Sequence, residues 1–198
     1  VLPIAEIAKK CAALVPGYER QIEAFFAERE KLVEEYAYSA SLVRSLRAAG
    51  YHVYLLSNYA GDLFDYARAH FKFIPLAEGG VISYEIHKIK PEREIYEELL
   101  RRYDLVPEEC VFVDDLKRNL CGAATFGIHT VLFTGLEDAL GKLKELGVTP
   151  LQAMIFDVDG TLWDTTEAAA KIWSDVAAKY PEVKDDVTAE KLKNLYGL

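Results

Sequence analysis

The chain has 198 residues, enough for one domain or for a core with a small accessory lobe. Half of it is hydrophobic (51%), and 32 acidic residues face 23 basic ones for a net charge of -9. That balance excludes a surface built for nucleic acid, whose phosphates need clustered Lys and Arg, yet leaves room for an anionic substrate held by one lysine and a metal ion. No apolar run approaches the roughly 18 residues of a membrane helix, and VLPIAEIAKK reads as an amphipathic helix, not a signal peptide. Cys11, Cys110 and Cys121 are odd in number and follow no metal or redox spacing, so they read as buried free thiols in a reduced, cytoplasmic setting.

In chain order, residues 3–35 show helical spacing, with a break at Pro16-Gly17. Residues 40–49 form a second amphipathic stretch that Gly50 can cap. YHVYLLSN (51–58) is an apolar strand ending at Ser57-Asn58, GDLFDYARAHF (61–71) is helical, and GGVISYEI (79–86) reads as a short strand or hairpin. After Lys90, residues 92–105 are helical, with Pro91 suited to the first turn. CVFVDDLKRN (110–119) repeats the pattern of an apolar strand running into polar residues. A helix (119–127), a strand (127–135) and a helix (136–147) follow. AMIFDVDG (153–160) is the next strand, and 165–180 and 188–197 close the chain as helices.

Strands alternating with helices of this length predict an α/β fold, a Rossmann-like parallel sheet flanked by helices. Ligands in such folds bind at the carboxyl ends of the strands. Three strands here end in polar residues: Ser57-Asn58, Asp114-Asp115, and Asp157 with Asp159. In an extended stretch, residues two apart share a face, so Asp157 and Asp159 can point into one cavity. Gly160 permits a turn there, and the Thr161 hydroxyl is available to pin the loop. Four carboxylates in one cleft repel one another, and a hard divalent cation with oxygen ligands, Mg²⁺, resolves that repulsion. Ser57 and Asn58, close to a helix start, form a candidate anion site, and the Lys90 ammonium is within reach of it, whereas Lys88 reads as a solvated lysine.

Together these residues resemble the haloacid dehalogenase-like superfamily: DVDGT (157–161) looks like its first motif, LLSN (55–58) its second, KP (90–91) its third and VFVDD (111–115) its fourth. Residues 39–147 are especially similar to its sugar-phosphate phosphatases. The resemblance implies a Mg²⁺-dependent phosphatase acting on a small phosphorylated metabolite, a sugar phosphate-like monoester. It assigns Asp157 as nucleophile, Asp159 as acid and base, and Lys90, Ser57 and Asn58 as binders of the phosphoryl group. Asp157, Asp159 (through its carbonyl), Asp115 and Asp114 are the implied metal ligands. Dehalogenating members lack the acid two residues past the nucleophile, so Asp159 favours phosphoryl transfer. A phosphomutase and a catalytically silent binding module are the alternatives.

The motif order is second, third, fourth, first. A circular permutation accounts for it, with old ends joined through 147–153 and Met154 as the relic of a start. The expected core is 39–164, with a small helical cap split between 1–38 and 165–198 and Val1 close to Leu198, in a monomer or a cap-mediated dimer. An engineered arrangement or a fusion is the other explanation. Trp163 and Asp164 are candidates for the cavity mouth, with core packing as the alternative for Trp163. Tyr18, Tyr36 and Tyr38 are candidates for substrate contact. The four histidines are scattered, without metal-ligand spacing.

Overall fold

The computed structural model describes residues 3–146, 151–180 and 188–196. The expected proximity of Val1 to Leu198 lies outside the described residues. In chain order the elements are α1 (Ile4–Leu14), α2 (Glu19–Ala27), β1 (Glu34–Glu35), α3 (Ser39–Ala48), β2 (His52–Ser57), α4 (Gly61–His70), β3 (Gly79–Ile82) and α5 (Ser83–Ile86). They continue with α6 (Arg93–Arg102), β4 (Cys110–Asp114), α7 (Lys117–Ala124), β5 (His129–Leu132), α8 (Leu136–Glu145), β6 (Ala153–Phe156), β7 (Trp163–Asp164), α9 (Thr166–Ala177) and α10 (Ala189–Tyr196).

Five strands form one parallel sheet in the order β3-β2-β6-β4-β5. β2, β4 and β6 are apolar runs that cannot face water on either side, as a sheet covered on both faces requires. Their side chains alternate between two cores. Val53, Leu55, Val111, Val113, Met154 and Phe156 pack with residues of α3, α4 and α8. Tyr54, Leu56, Cys110, Phe112, Ala153 and Ile155 pack against α6 and α7. β6 pairs with β2 on one side and β4 on the other, so the strand leading to Asp157 sits at the sheet's centre.

A third apolar cluster lies above the carboxyl edge. Ile4 of α1, Phe25 of α2, Leu32, Ala169, Ile172 and Val176 of α9, and Leu192 of α10 meet there, with Ala60 and Leu63 from the sheet side. Phe25 stacks on Trp173, with ring centroids 4.4 Å apart. The two flanking segments of the chain thus share one helical layer.

Several local expectations change. The 3–35 stretch is two helices and a 3-10 turn, and it ends in β1, which pairs antiparallel with β7. Residues 79–86 are a strand followed by one helical turn, with no hairpin. Pro91 precedes α6 and is not in its first turn; the Lys90-Pro91 peptide is cis, and Glu92 holds the N-cap position. Met154 lies inside β6, not ahead of it. Cys110 is buried, but Cys11 is half-buried and Cys121 exposed, because α7 turns Asn119, Leu120 and Ala123 inward and leaves Cys121 on its outer face. No described helix is long and apolar enough to cross a membrane.

Candidate active site

Asp157 follows the last residue of β6, and its N–H donates to the Val113 carbonyl (2.8 Å), which locks the start of the loop against β4. Val158 then turns the chain: its carbonyl accepts from Thr161, Leu162 and Trp163, and the Gly160 N–H donates to the Trp163 carbonyl (2.9 Å). Gly160 has φ +77°, and a Cβ there would come within 2.5 Å of Asp115 Oδ2. Only glycine meets both the left-handed turn and the close approach. The Thr161 hydroxyl is buried with no hydrogen-bond partner, so backbone bonds hold the loop, not the side chain expected to pin it.

The Lys90 ammonium is the hub. It donates to Asp157 Oδ1 (2.6 Å) and Asp114 Oδ2 (2.8 Å), and all three side chains are buried. Asn58 places this lysine: its Nδ2 donates to the Lys90 carbonyl (2.9 Å), and its Oδ1 accepts from the Lys90 N–H (2.7 Å). Its side chain is thereby committed to the Lys90 backbone, while the contact expected with the substrate is through the Asn58 backbone N–H. Asp114 is fixed by the Asn119 side chain (3.0 Å to each oxygen) and the Leu116 N–H (2.7 Å). Ser57 ends β2 with its hydroxyl buried and without a hydrogen-bond partner.

Burial would strip Lys90 of its proton, but the Asp157 and Asp114 carboxylates outweigh it and raise its pKa, so it stays an ammonium. One cation between two carboxylates leaves an excess negative charge, and burial pushes Asp157 well above the usual carboxylate range against the pull of Lys90. Asp115 is pushed up to about 6, first by burial and then by the Asp114 charge. Asp159 stands apart from this cluster: Thr165 Oγ1 donates to both its oxygens (2.8 and 3.1 Å), and burial carries it to about 6.

Oxygens of Asp114, Asp115 and Asp157 lie within 4.8 Å of one another. Asp115 Oδ1 is buried and unpartnered, and with all three carboxyls ionised one lysine leaves two uncompensated negative charges; burial, and then this repulsion, raises Asp115 and Asp157 in the metal-free chain. An all-oxygen donor set with that charge fits Mg²⁺.

Asp159 supplies a pH test on the metal-free chain. Unfolded, it has released its proton by about pH 4; folded, it holds the proton to about 6. Its contribution is therefore most favourable below pH 4 and is lost as pH rises through 6, by up to about 3 kcal/mol. Urea unfolding of the protein and its Asp159→Asn variant in EDTA should show a stability gap that shifts toward the variant between pH 4 and pH 7. A gap independent of pH would refute the raised carboxyl.

Other candidates fall elsewhere. Trp163 is core, fully buried with Tyr59, Phe64, Phe71 and Phe73 around it. Asp164 accepts from the Thr166 N–H (2.8 Å) at the start of α9. Tyr36 and Tyr38 stack on each other, with the Tyr38 hydroxyl donating to the Thr161 carbonyl (2.7 Å), and Tyr18 is exposed. None of these five lines the cavity; Tyr59 and Arg118, not singled out in the sequence, do. Lys88, read as a solvated lysine, is half-buried and paired with Glu94 outside the site.

A parallel α/β sheet with carboxylates and one buried lysine at its central carboxyl edge defines a class of hydrolase. Residues 8–127, more than half of the chain, match the model of the haloacid dehalogenase-like hydrolases, and the chain belongs to that family. The match takes in Ser57, Lys90 and Asp115 and stops short of Asp157. Among curated proteins, the chain is 31% identical over 133 residues to a sesquiterpene phosphatase of Aspergillus oryzae, covering 67% of this chain and 65% of that protein. The chain spans only 6% to 65% of the length of the curated relatives it matches. A family enzyme of Bacteroides thetaiotaomicron, solved as an aspartate-to-alanine mutant with magnesium and inorganic phosphate, superimposes with TM-score 0.53 at 25% identity, over 66% of this chain and 70% of that one. A dehalogenase solved as an intermediate complex shares the fold, with TM-score 0.56 at 22% identity, over 77% and 66% of the two chains.

Proposed function

We propose that this hydrolase is a Mg²⁺-dependent phosphatase that cleaves a small phosphate monoester through an aspartyl-phosphate on Asp157. The observation that carries the reading is the division of labour between two carboxylates: Asp157 is held in the lysine cluster, while Asp159 stands outside it as a separate acid near pH 6. Two carboxyl groups in different environments can run nucleophilic and acid–base chemistry side by side.

An Asp157 carboxylate oxygen attacks phosphorus in line as the bond to the ester oxygen breaks. The departing oxygen takes the Asp159 proton and leaves as the alcohol. Asp159, now a carboxylate, removes a proton from water; the water oxygen attacks phosphorus, and phosphate leaves with Asp157 restored. Lys90 and the Ser57 hydroxyl offset charge on the phosphoryl oxygens. Asp157, Asp115, the Asp159 carbonyl and Asp114, directly or through water, would hold Mg²⁺, which supplies positive charge against the transferring group.

The presence of Asp159 favours this chemistry over dehalogenation, and the sesquiterpene phosphatase relative supports it. Phosphate release from a panel of monoesters tests it; a mutase would isomerise hexose phosphates while releasing little. Excess EDTA should abolish the activity and Mg²⁺ restore it. Full turnover in EDTA would remove the metal from the reading.

The same reading divides the chain into a core at 39–164 and a cap from 1–38 and 165–198, in permuted order. The central seat of β6, the shared cluster of α1, α2, α9 and α10, and a family match that ends before Asp157 support it.

A further inference from the structure

The cavity above Asp157, about 580 Å³, is far larger than a phosphate needs and is chemically two-ended. Every charged side chain among its described lining residues (Lys90, Asp115, Arg118, Asp157 and Asp159) sits on a loop or helix start at the sheet edge. The opposite wall is hydrocarbon: Ile4 and Ile7 of α1, Phe25 and Phe26 of α2, and Leu32, with Leu63 of α4 meeting it from the sheet side. Four of these, Ile4, Phe25, Leu32 and Leu63, are also buried in the third core cluster. The stack of Phe25 on Trp173 stiffens the wall from behind. From α9 the lining groups are Thr166 and Ala169, with Thr165 just ahead; the Thr165 hydroxyl is already spent on Asp159. A sugar leaving group would bring several hydroxyls against that hydrocarbon wall, whose side chains offer no hydrogen-bond partner, and each unpaired hydroxyl weakens binding. A hydrocarbon chain would lose water against the same surface and bind more tightly.

We infer that the alcohol released from the phosphate is apolar, a hydrocarbon chain seated between α1, α2 and Leu63, in place of the sugar expected from the sequence. This rests on the phosphatase reading, in that the phosphoryl end occupies the Asp157 pocket.

A chain-length series on the unmodified protein tests the seat without needing turnover. Methyl-, butyl- and octylphosphonate are titrated calorimetrically with Mg²⁺ present, and hydrolysis of butyl phosphate, octyl phosphate and glucose 6-phosphate is followed in parallel. The expected result is a Kd that falls about fourfold per added methylene, the transfer value for a buried CH₂. Inorganic phosphate should displace octylphosphonate, and octyl phosphate should be hydrolysed in preference to glucose 6-phosphate. Affinity independent of chain length, or octylphosphonate that phosphate fails to displace, would overturn the inference. Hydrolysis of glucose 6-phosphate alongside flat affinities would overturn it while leaving the phosphatase reading intact. Steeply rising affinity with no hydrolysis of any ester would uphold the apolar seat and overturn the phosphatase reading.

Discussion

Asp157→Asn is expected to cut phosphate release by on the order of 10⁴-fold or more, the scale of loss when other covalent nucleophiles are removed. The amide keeps the shape of the carboxyl and its carbonyl can still accept from Lys90, so the pocket stays formed. What disappears is the anion that attacks phosphorus. The substitution also removes one of two carboxylates packed on a single ammonium, leaving Asp114 and Lys90 as a balanced pair, so thermal stability should hold or rise. Loss of activity without loss of stability separates chemistry from unfolding. Near-normal turnover by the folded variant would end the covalent mechanism. Asp159→Asn should also be severely impaired, since neither the alcohol nor the water would have a proton partner.

The second large effect is on folding. Lys90→Met should destabilise the metal-free protein by about 3–5 kcal/mol at pH 7, because it leaves Asp114 and Asp157 buried without their cation. The Asp114 carboxylate is held by the Leu116 N–H and the Asn119 side chain, neither of which depends on lysine, and the backbone bond of Asp157 to Val113 keeps its short side chain in the buried pocket. Acid should recover part of the loss, since protonation removes the uncompensated charge. Mg²⁺ should recover part of it at pH 7 by supplying the missing positive charge. Urea unfolding with and without the ion reads both. A loss below about 1 kcal/mol would show that the cluster is not the keystone its burial indicates.

Asp157, Asp115, Lys90 and Ser57 were legible in the sequence because each stands at the end of an apolar run, or beside a turn, where an α/β sheet delivers its ligands. What holds them was not. Asn58 was read for its backbone N–H toward the phosphoryl group, and nothing in the sequence signalled that its side-chain amide clamps the backbone of Lys90, 32 residues away. Thr165, which orients Asp159, and Asn119, which orients Asp114, are ordinary residues in helix-start positions and carry no pattern of their own. Their roles exist only once two elements approach each other. The amphipathic faces of α1 and α2 were visible as faces, but periodicity does not distinguish a face that packs on a core from one that lines a cavity. Trp163 shows the same limit: an aromatic beside a motif fits a cavity mouth as well as a core, and only the surrounding rings place it in the core.

The central seat of β6 bears on how the chain comes together. β2 with β3, and β4 with β5, are parallel pairs that close over short stretches of chain, whereas β6 must bridge both, bringing His52 level with Ala153 and Cys110 level with the same residue. A chain made from its amino end therefore presents two half-sheets before the strand that joins them exists. Each half-sheet has an exposed inner edge, β2 or β4, built of buried-type apolar residues, which is the kind of edge that pairs with other chains. Docking β6 is a long-range step, slow by its topology, and Asp157, the proposed nucleophile, arrives with it. Assembly of the sheet and creation of the site are the same event, so no partly folded form with an unfilled centre can be active.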